Sequence, residues 1–107
     1  MSEVRVLVHQ AVHDDQQLQA VREAYRVVSK RMAEVPGMLG SALLRSPDDP
    51  TSLIVMSRWT DLEAFRSWER SPGHREDTAP LRPYRDLRYA VPFGVYEVEA
   101  AGGEGWE

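Results

Sequence analysis

Ser57-Arg58-Trp59-Thr60-Asp61-Leu62-Glu63-Ala64-Phe65-Arg66-Ser67-Trp68 is the stretch that decides the fold. It reads as the end of a strand running into a capped helix. Thr60 stands at the N-cap and Glu63 three residues on, the spacing of a reciprocal capping box. Leu62, Phe65 and Trp68 then fall on one helical stripe. Glu69-Arg70-Ser71-Pro72-Gly73-His74 follows at once. Two indoles and an imidazole thus lie close enough along the chain to wall one pocket, which suits a flat organic guest.

Upstream of this stretch, Leu53 to Trp59 is apolar and β-branched, and Met38 to Arg45 has the same character. Ser46-Pro47-Asp48-Asp49-Pro50 joins them as a turn, so the two form a hairpin. Further back, Leu18, Val21, Tyr25, Val28, Met32 and Val35 recur at steps of three and four, one stripe of a long helix. Asp14 opens that helix with Gln17 as partner, and Pro36-Gly37 ends it. Val4 to Val8 is the first strand. Downstream, Ser71 to Asp86 is irregular by pattern, with a helical turn expected around Arg75 to Thr78. A connection of that length is uncommon and often functional. Leu87 to Glu99 reads as a long fourth strand whose Pro92 places it at an edge or bulge.

The order is β-α-β-β-α-β, the ferredoxin-like split arrangement of the α+β class, with two main helices on one face of a four-stranded antiparallel sheet. Residues 1–100 make one domain, and 101–107, including Trp106, read as a frayed tail. Leu43-Leu44 and Leu53-Ile54-Val55-Met56 are apolar at consecutive positions, whereas a one-sided antiparallel sheet should alternate. The second face must therefore be covered, most simply by the same face of another copy in a two-fold dimer.

With 107 residues, 42% of them hydrophobic, the chain supports one folded core. No apolar run approaches a membrane span. The first residues lack a secretion-signal layout, and no cysteine is present, so the cytoplasm is expected. A net charge of −4 without a basic stripe argues against nucleic acid. There is no phosphate-binding loop, serine elbow or dinucleotide fingerprint, so no tightly bound nucleotide is expected.

Among candidate site residues, Trp59 and Trp68 each have a packing reading and a pocket one: Trp59 staples the helix start or stacks on a guest, and Trp68 continues the helix stripe or lines a pocket. His74 suits proton transfer with a phenol, because its ordinary pKa lies near neutrality. His9, with Gln10 beside it, can reach the pocket from the first strand. His9 and His13 are four apart, but a strand end and a helix start separate them, so they make no metal pair. Arg58, Arg82, Arg85, Arg88, Tyr84 and Tyr89 flank the presumed cavity, and one or two of the arginines can hold a phenolate or carboxylate.

The chain resembles the antibiotic biosynthesis monooxygenase family over about residues 3 to 99. The resemblance rests on Pro36-Gly37-Met38-Leu39-Gly40, on Arg45-Ser46-Pro47-Asp48-Asp49-Pro50, on Ser57-Arg58-Trp59 leading into Glu63-Ala64-Phe65-Arg66-Ser67-Trp68, and on His74 after Ser71-Pro72. It implies a dimeric α+β barrel with a pocket between helices and sheet in each subunit. It also implies one of several chemistries: oxygenation of anthrone-type aromatics without metal or flavin, quinol oxygenation, or haem degradation. The haem-degrading branch carries a strand-one asparagine, a second-helix tryptophan and a histidine ten residues beyond. Here Trp68 matches, but His9 or Gln10 stands for the asparagine and Thr78 for the histidine, which demotes haem. The expected function is oxidation of a polycyclic phenol or anthrone to a quinone by a homodimeric monooxygenase, using O2 and no metal or bound cofactor. His74, His9 and Trp68 are the expected catalytic residues. Trp59, Arg58, Gln10, Tyr84 and Arg88 are the expected substrate contacts. A flavin-assisted ring-opening oxygenase and a non-catalytic binding dimer are the alternatives.

Overall fold

A computed structural model describes residues 2–103. Within it the chain runs β1 (Val4–Ala11), α1 (Asp15–Met32), β2 (Met38–Arg45), β3 (Ser52–Trp59), α2 (Leu62–Glu69), α3 (His74–Thr78), a 3-10 segment (Ala79–Tyr84) and β4 (Phe93–Glu97). The four strands form one sheet in the order β2-β3-β1-β4, with every pairing antiparallel. This is the expected ferredoxin-like arrangement, and the sheet is open rather than closed on itself. None of the described helices is long and apolar enough to cross a membrane. Glu104–Glu107, the end of the expected tail, lie outside the described residues.

Local signals account for most element boundaries. Asp14 caps α1 by accepting a hydrogen bond from the Gln17 N–H at 2.8 Å. Gln17 answers by accepting from the His13 N–H at 2.7 Å, so the reciprocal pair forms and reaches one residue further back. The second helix corrects the expected cap. The Thr60 N–H donates to Gly37 O at 2.9 Å, which keeps Thr60 tied to the hairpin. The extended residue that follows, Asp61, becomes the cap and accepts from the Ala64 N–H at 2.8 Å. Glu63 turns instead to the Ser67 hydroxyl.

The last strand is also shorter than its pattern suggests. It begins at Phe93, not Leu87, because Pro92 has no N–H to give the ladder. The chain before it is held to β1 through single bonds: Asp86 N–H to His9 O at 3.0 Å and His9 N–H to Pro92 O at 2.7 Å. β4 sits at the sheet edge, as the proline implied. The stretch 71–86 is ordered, folding as α3 and the 3-10 segment. The Arg31 guanidinium ties this region to α1 by donating to Glu76 O at 2.8 Å.

The helices cover one face of the sheet. Val4, Val6, Leu53 and Trp59 from the strands bury against Leu18, Val21, Val28 and Met32 of α1, Phe65 of α2 and Leu81 of the 3-10 segment. The register places Arg5, Leu7 and His9 of β1 beside Arg58, Met56 and Ile54 of β3 on the other face, which no described element covers.

Candidate active site

A cavity of about 90 Å³ lies between α1 and the sheet. Val6, Val8 and Val55 floor it from the strands; Val28 and Met32 roof it from α1; Phe65 and Trp68 wall it from α2. Alternation along β1 brings Gln10 to the same face as Val6 and Val8. The 3-10 segment and the residue after it bring Arg82 and Arg85 to the cavity wall.

Trp68 is fixed by three neighbours. Its indole N–H donates to Asp77 Oδ2 at 3.0 Å. Its ring stacks on Trp59 with centroids 5.4 Å apart and planes at 30°. The His74 ring meets it edge-on at 4.5 Å. Trp59 is wholly buried behind it, with its N–H donated to the Ser57 hydroxyl at 2.9 Å. Trp59 is therefore a packing residue that backs Trp68, the first of its two readings.

Gln10 is 1% exposed. Oriented with its nitrogen toward the 3-10 segment, the amide donates to Leu81 O at 3.1 Å and to Tyr84 O at 3.3 Å. It thereby fastens β1 to the segment that carries the arginines. Arg82 itself has a buried Nε with no partner among the described residues. Burial, then the nearby Arg85 and Arg75 charges, push its pKa down from the usual guanidinium range. Burial also lowers the His74 pKa, and Arg82 adds to the effect against the opposing Glu69 and Asp77.

The other expected site residues lie elsewhere. His9 points to the opposite face of the sheet, where its ring stacks on Tyr89 at 4.0 Å with planes at 11°. Arg58 shares that face and pairs with Glu3 at 2.7 Å; the same hydrogen bond holds the Glu3 carboxyl below its usual range. Arg88 is locked by Asp86, whose carboxylate accepts from its Nε, its Nη2 and its backbone N–H. Tyr84 packs on the core and Tyr89 lies over the outer face, so neither lines the cavity. His74 stands against the Trp68 edge, outside the cavity lining. Of the named residues, the structure thus brings together Trp68, Gln10, Arg82 and Arg85. It adds Tyr25, whose hydroxyl shares a hydrogen bond with Ser41 at 2.9 Å. A phenol inside an apolar helical stripe was the only sequence signal for it.

A sequence profile for antibiotic biosynthesis monooxygenases matches residues 4–76. The chain belongs to the antibiotic biosynthesis monooxygenase family. Protein SchA of Streptomyces halstedii is 34% identical over 106 residues, covering 95% of this chain and 28% of SchA. A 42.8 kDa protein in the whiE locus of Streptomyces coelicolor is 35% identical over 94 residues, covering 84% of this chain and 23% of that protein. The chain thus spans about a quarter of the length of these curated relatives. Among solved structures it is similar to SnoaB, a cofactor-independent oxygenase from Streptomyces nogalater. The TM-score is 0.74 and the identity 23%, over 98% of this chain and 99% of SnoaB. A conserved protein from Methanosarcina mazei has a TM-score of 0.71 and 17% identity, over 90% of this chain and 92% of that one. The monooxygenase-family match covers Gln10, Trp59, Trp68 and His74. It stops short of Arg82 and Arg85, so the charged end of the cavity lies beyond the matched span.

Proposed function

We propose that the chain is a monooxygenase that oxidises a fused-ring phenol or anthrone to a quinone with O2 and no metal or bound cofactor. The observation that carries this reading is the cavity of a monooxygenase-family fold: apolar on floor and roof, walled by an indole, and charged at one end by Arg82 and Arg85. SnoaB, which shares the fold, is a cofactor-independent oxygenase, and that supports the same class of chemistry here.

In this reading the guest lies flat against Trp68. Loss of a proton from the ring carbon opposite the anthrone carbonyl leaves an electron-rich carbanion. The carbanion gives one electron to O2, and the resulting radical pair joins as a hydroperoxide. Loss of water then leaves the new carbonyl: one oxygen atom stays on the ring and the other departs as water with both ring hydrogens. Positive charge beside the anion stabilises it. At about 90 Å³ the cavity is small beside the roughly 300 Å³ at the low end of ligand sites. A fused-ring guest therefore widens the cavity as it binds. A second copy covers the uncovered apolar face of the sheet, giving a homodimer.

Aerobic incubation with a panel of anthrones and polyphenols, in the presence of chelator, tests the proposal. Oxygen uptake matched by quinone absorbance is expected. Binding without uptake would make the chain a carrier instead.

A further inference from the structure

The residues around the cavity leave two charges unanswered. Arg88 is held by Asp86, Arg58 by Glu3 and Arg66 by Glu69. Arg82 and Arg85 have no such partner among the described residues, and the Arg82 Nε is buried without any acceptor. A buried donor left unpaired is rare in folded proteins and calls for an explanation at each occurrence. These two cations, one in the 3-10 segment and the other just past its end, both line the cavity. Gln10 holds that turn in place through Leu81 O and Tyr84 O. The chain carries a net charge of −4, yet among the described residues no Asp or Glu side chain lines the cavity.

We infer that Arg82 and Arg85 form an anion subsite that selects the ionised form of an aromatic guest, a phenolate or enolate, so that no side-chain base is needed in the cavity to ionise it. The inference takes the aromatic class of the guest from the oxygenase reading and adds its charge. The anionic guest supplies their counter-charge. Two fixed cations stabilise the anion relative to the neutral phenol, which lowers the pKa of the bound phenol and lets its proton pass to solvent as it binds. Guanidinium suits this task because it stays charged near a like neighbour and its planar fork matches oxyanions. Gln10 acts as a positioning residue by fixing the turn.

The test uses 2-hydroxyanthraquinone, a three-ring phenol whose visible absorbance changes on ionisation, and its methyl ether, which cannot ionise. Being a quinone already, the probe reads the subsite without turnover. The bound phenol is expected to ionise at least one pH unit below the free one, which is a tenfold preference for the anion. The ether should bind at least tenfold more weakly than the phenolate. Replacing both arginines (Arg82→Met with Arg85→Met) should abolish the shift, and Arg22→Met on the exposed side of α1 should leave it intact. A bound phenol with an unshifted or raised pKa overturns the inference, as does an ether that binds as well as the phenolate. Absence of any binding overturns it too. The comparison of phenol with ether needs no variant, so it stands even if the double variant fails to fold. An unshifted probe leaves the oxygenase reading in place; absent oxygen uptake with a shifted probe leaves the subsite in place.

Discussion

The two faces of the sheet use similar side chains to opposite ends. On the helix face Val4 and Trp59 are wholly buried, and Val6 and Leu53 nearly so. On the other face Leu7, Ile54 and Met56 remain half-buried, and Leu44 and Tyr96 are 43% and 58% exposed. Gly94 allows the Tyr96 ring to lie over it, 2.6 Å from where a Cβ would stand, so even the aromatic on that face lies flat. Apolar content therefore does not say which face forms the core. Covering it does, and the described helices cover one face only. The second face is what a partner copy would bury.

Substitutions on each face sharpen the contrast. Trp59→Ala should have the largest effect, a loss of about 3–5 kcal/mol in denaturant unfolding, because it empties the space between Phe65 and Trp68. Gly37→Ala comes next. Gly37 has a φ of 87°, and a Cβ there would collide with the Ala64 Cβ where α2 crosses the hairpin. Left-handed strain and overpacking together should cost about 2–4 kcal/mol by the same measurement.

Asp86→Asn probes the place where the chain crosses from the helical layer to the sheet edge. It weakens the bonds to Arg88 and should cost about 1–2 kcal/mol. Hydrogen bonding from Arg88 holds the Asp86 carboxyl below its ordinary range, so its contribution is present above pH ~4 and lost as pH falls through the depressed folded value. The wild type should therefore lose more Tm than the variant below that pH.

Met56→Glu breaks the comparison directly. On the uncovered face it should change the stability of a single chain by only about 0.5 kcal/mol. In gel filtration it should convert a dimer to a monomer, and an unchanged elution volume would remove the partner copy from the account.

The smallest expected effect is at His74. Burial and Arg82 lower its pKa, so below about pH 6.5 the unfolded chain takes up a proton before the folded one does. Stability present above that pH should decline as pH falls through the folded value. The slope of Tm between pH 7 and 5 should be shallower in His74→Phe.

Much of the architecture was legible along the chain because its signals are local. The stripe from Leu18 to Met32, the Asp14–Gln17 pair and the Ser46–Pro50 turn each specify an element through neighbours within a few residues. The misplaced cap shows the limit of such reading. Thr60 and Asp61 both suit an N-cap, and the choice fell to Asp61 because Gly37, distant in sequence, holds the Thr60 N–H.

The site was less legible. His74 and Trp68 were singled out for their proximity in sequence, and the fold does put their rings in contact, but it leaves His74 outside the cavity lining. Arg82, Arg85 and Arg88 look alike in sequence. Only the fold gives Arg88 a buried carboxylate and sets the other two in the wall of a largely apolar cavity. His9 is a pocket residue or an outer one according to the strand's phase, and Gln10 shows which, by facing the helices beside Val6 and Val8.

By itself, then, the sequence determined the element order, the apolar stripes and the pool of aromatic and charged groups, since each follows from composition and short-range spacing. The tertiary structure decided which arginines lack an ion-pair partner among the described residues, which indole meets the cavity and which sheet face the described helices cover. Those depend on contacts between residues far apart along the chain, where charge pairing and packing are set by three-dimensional neighbours.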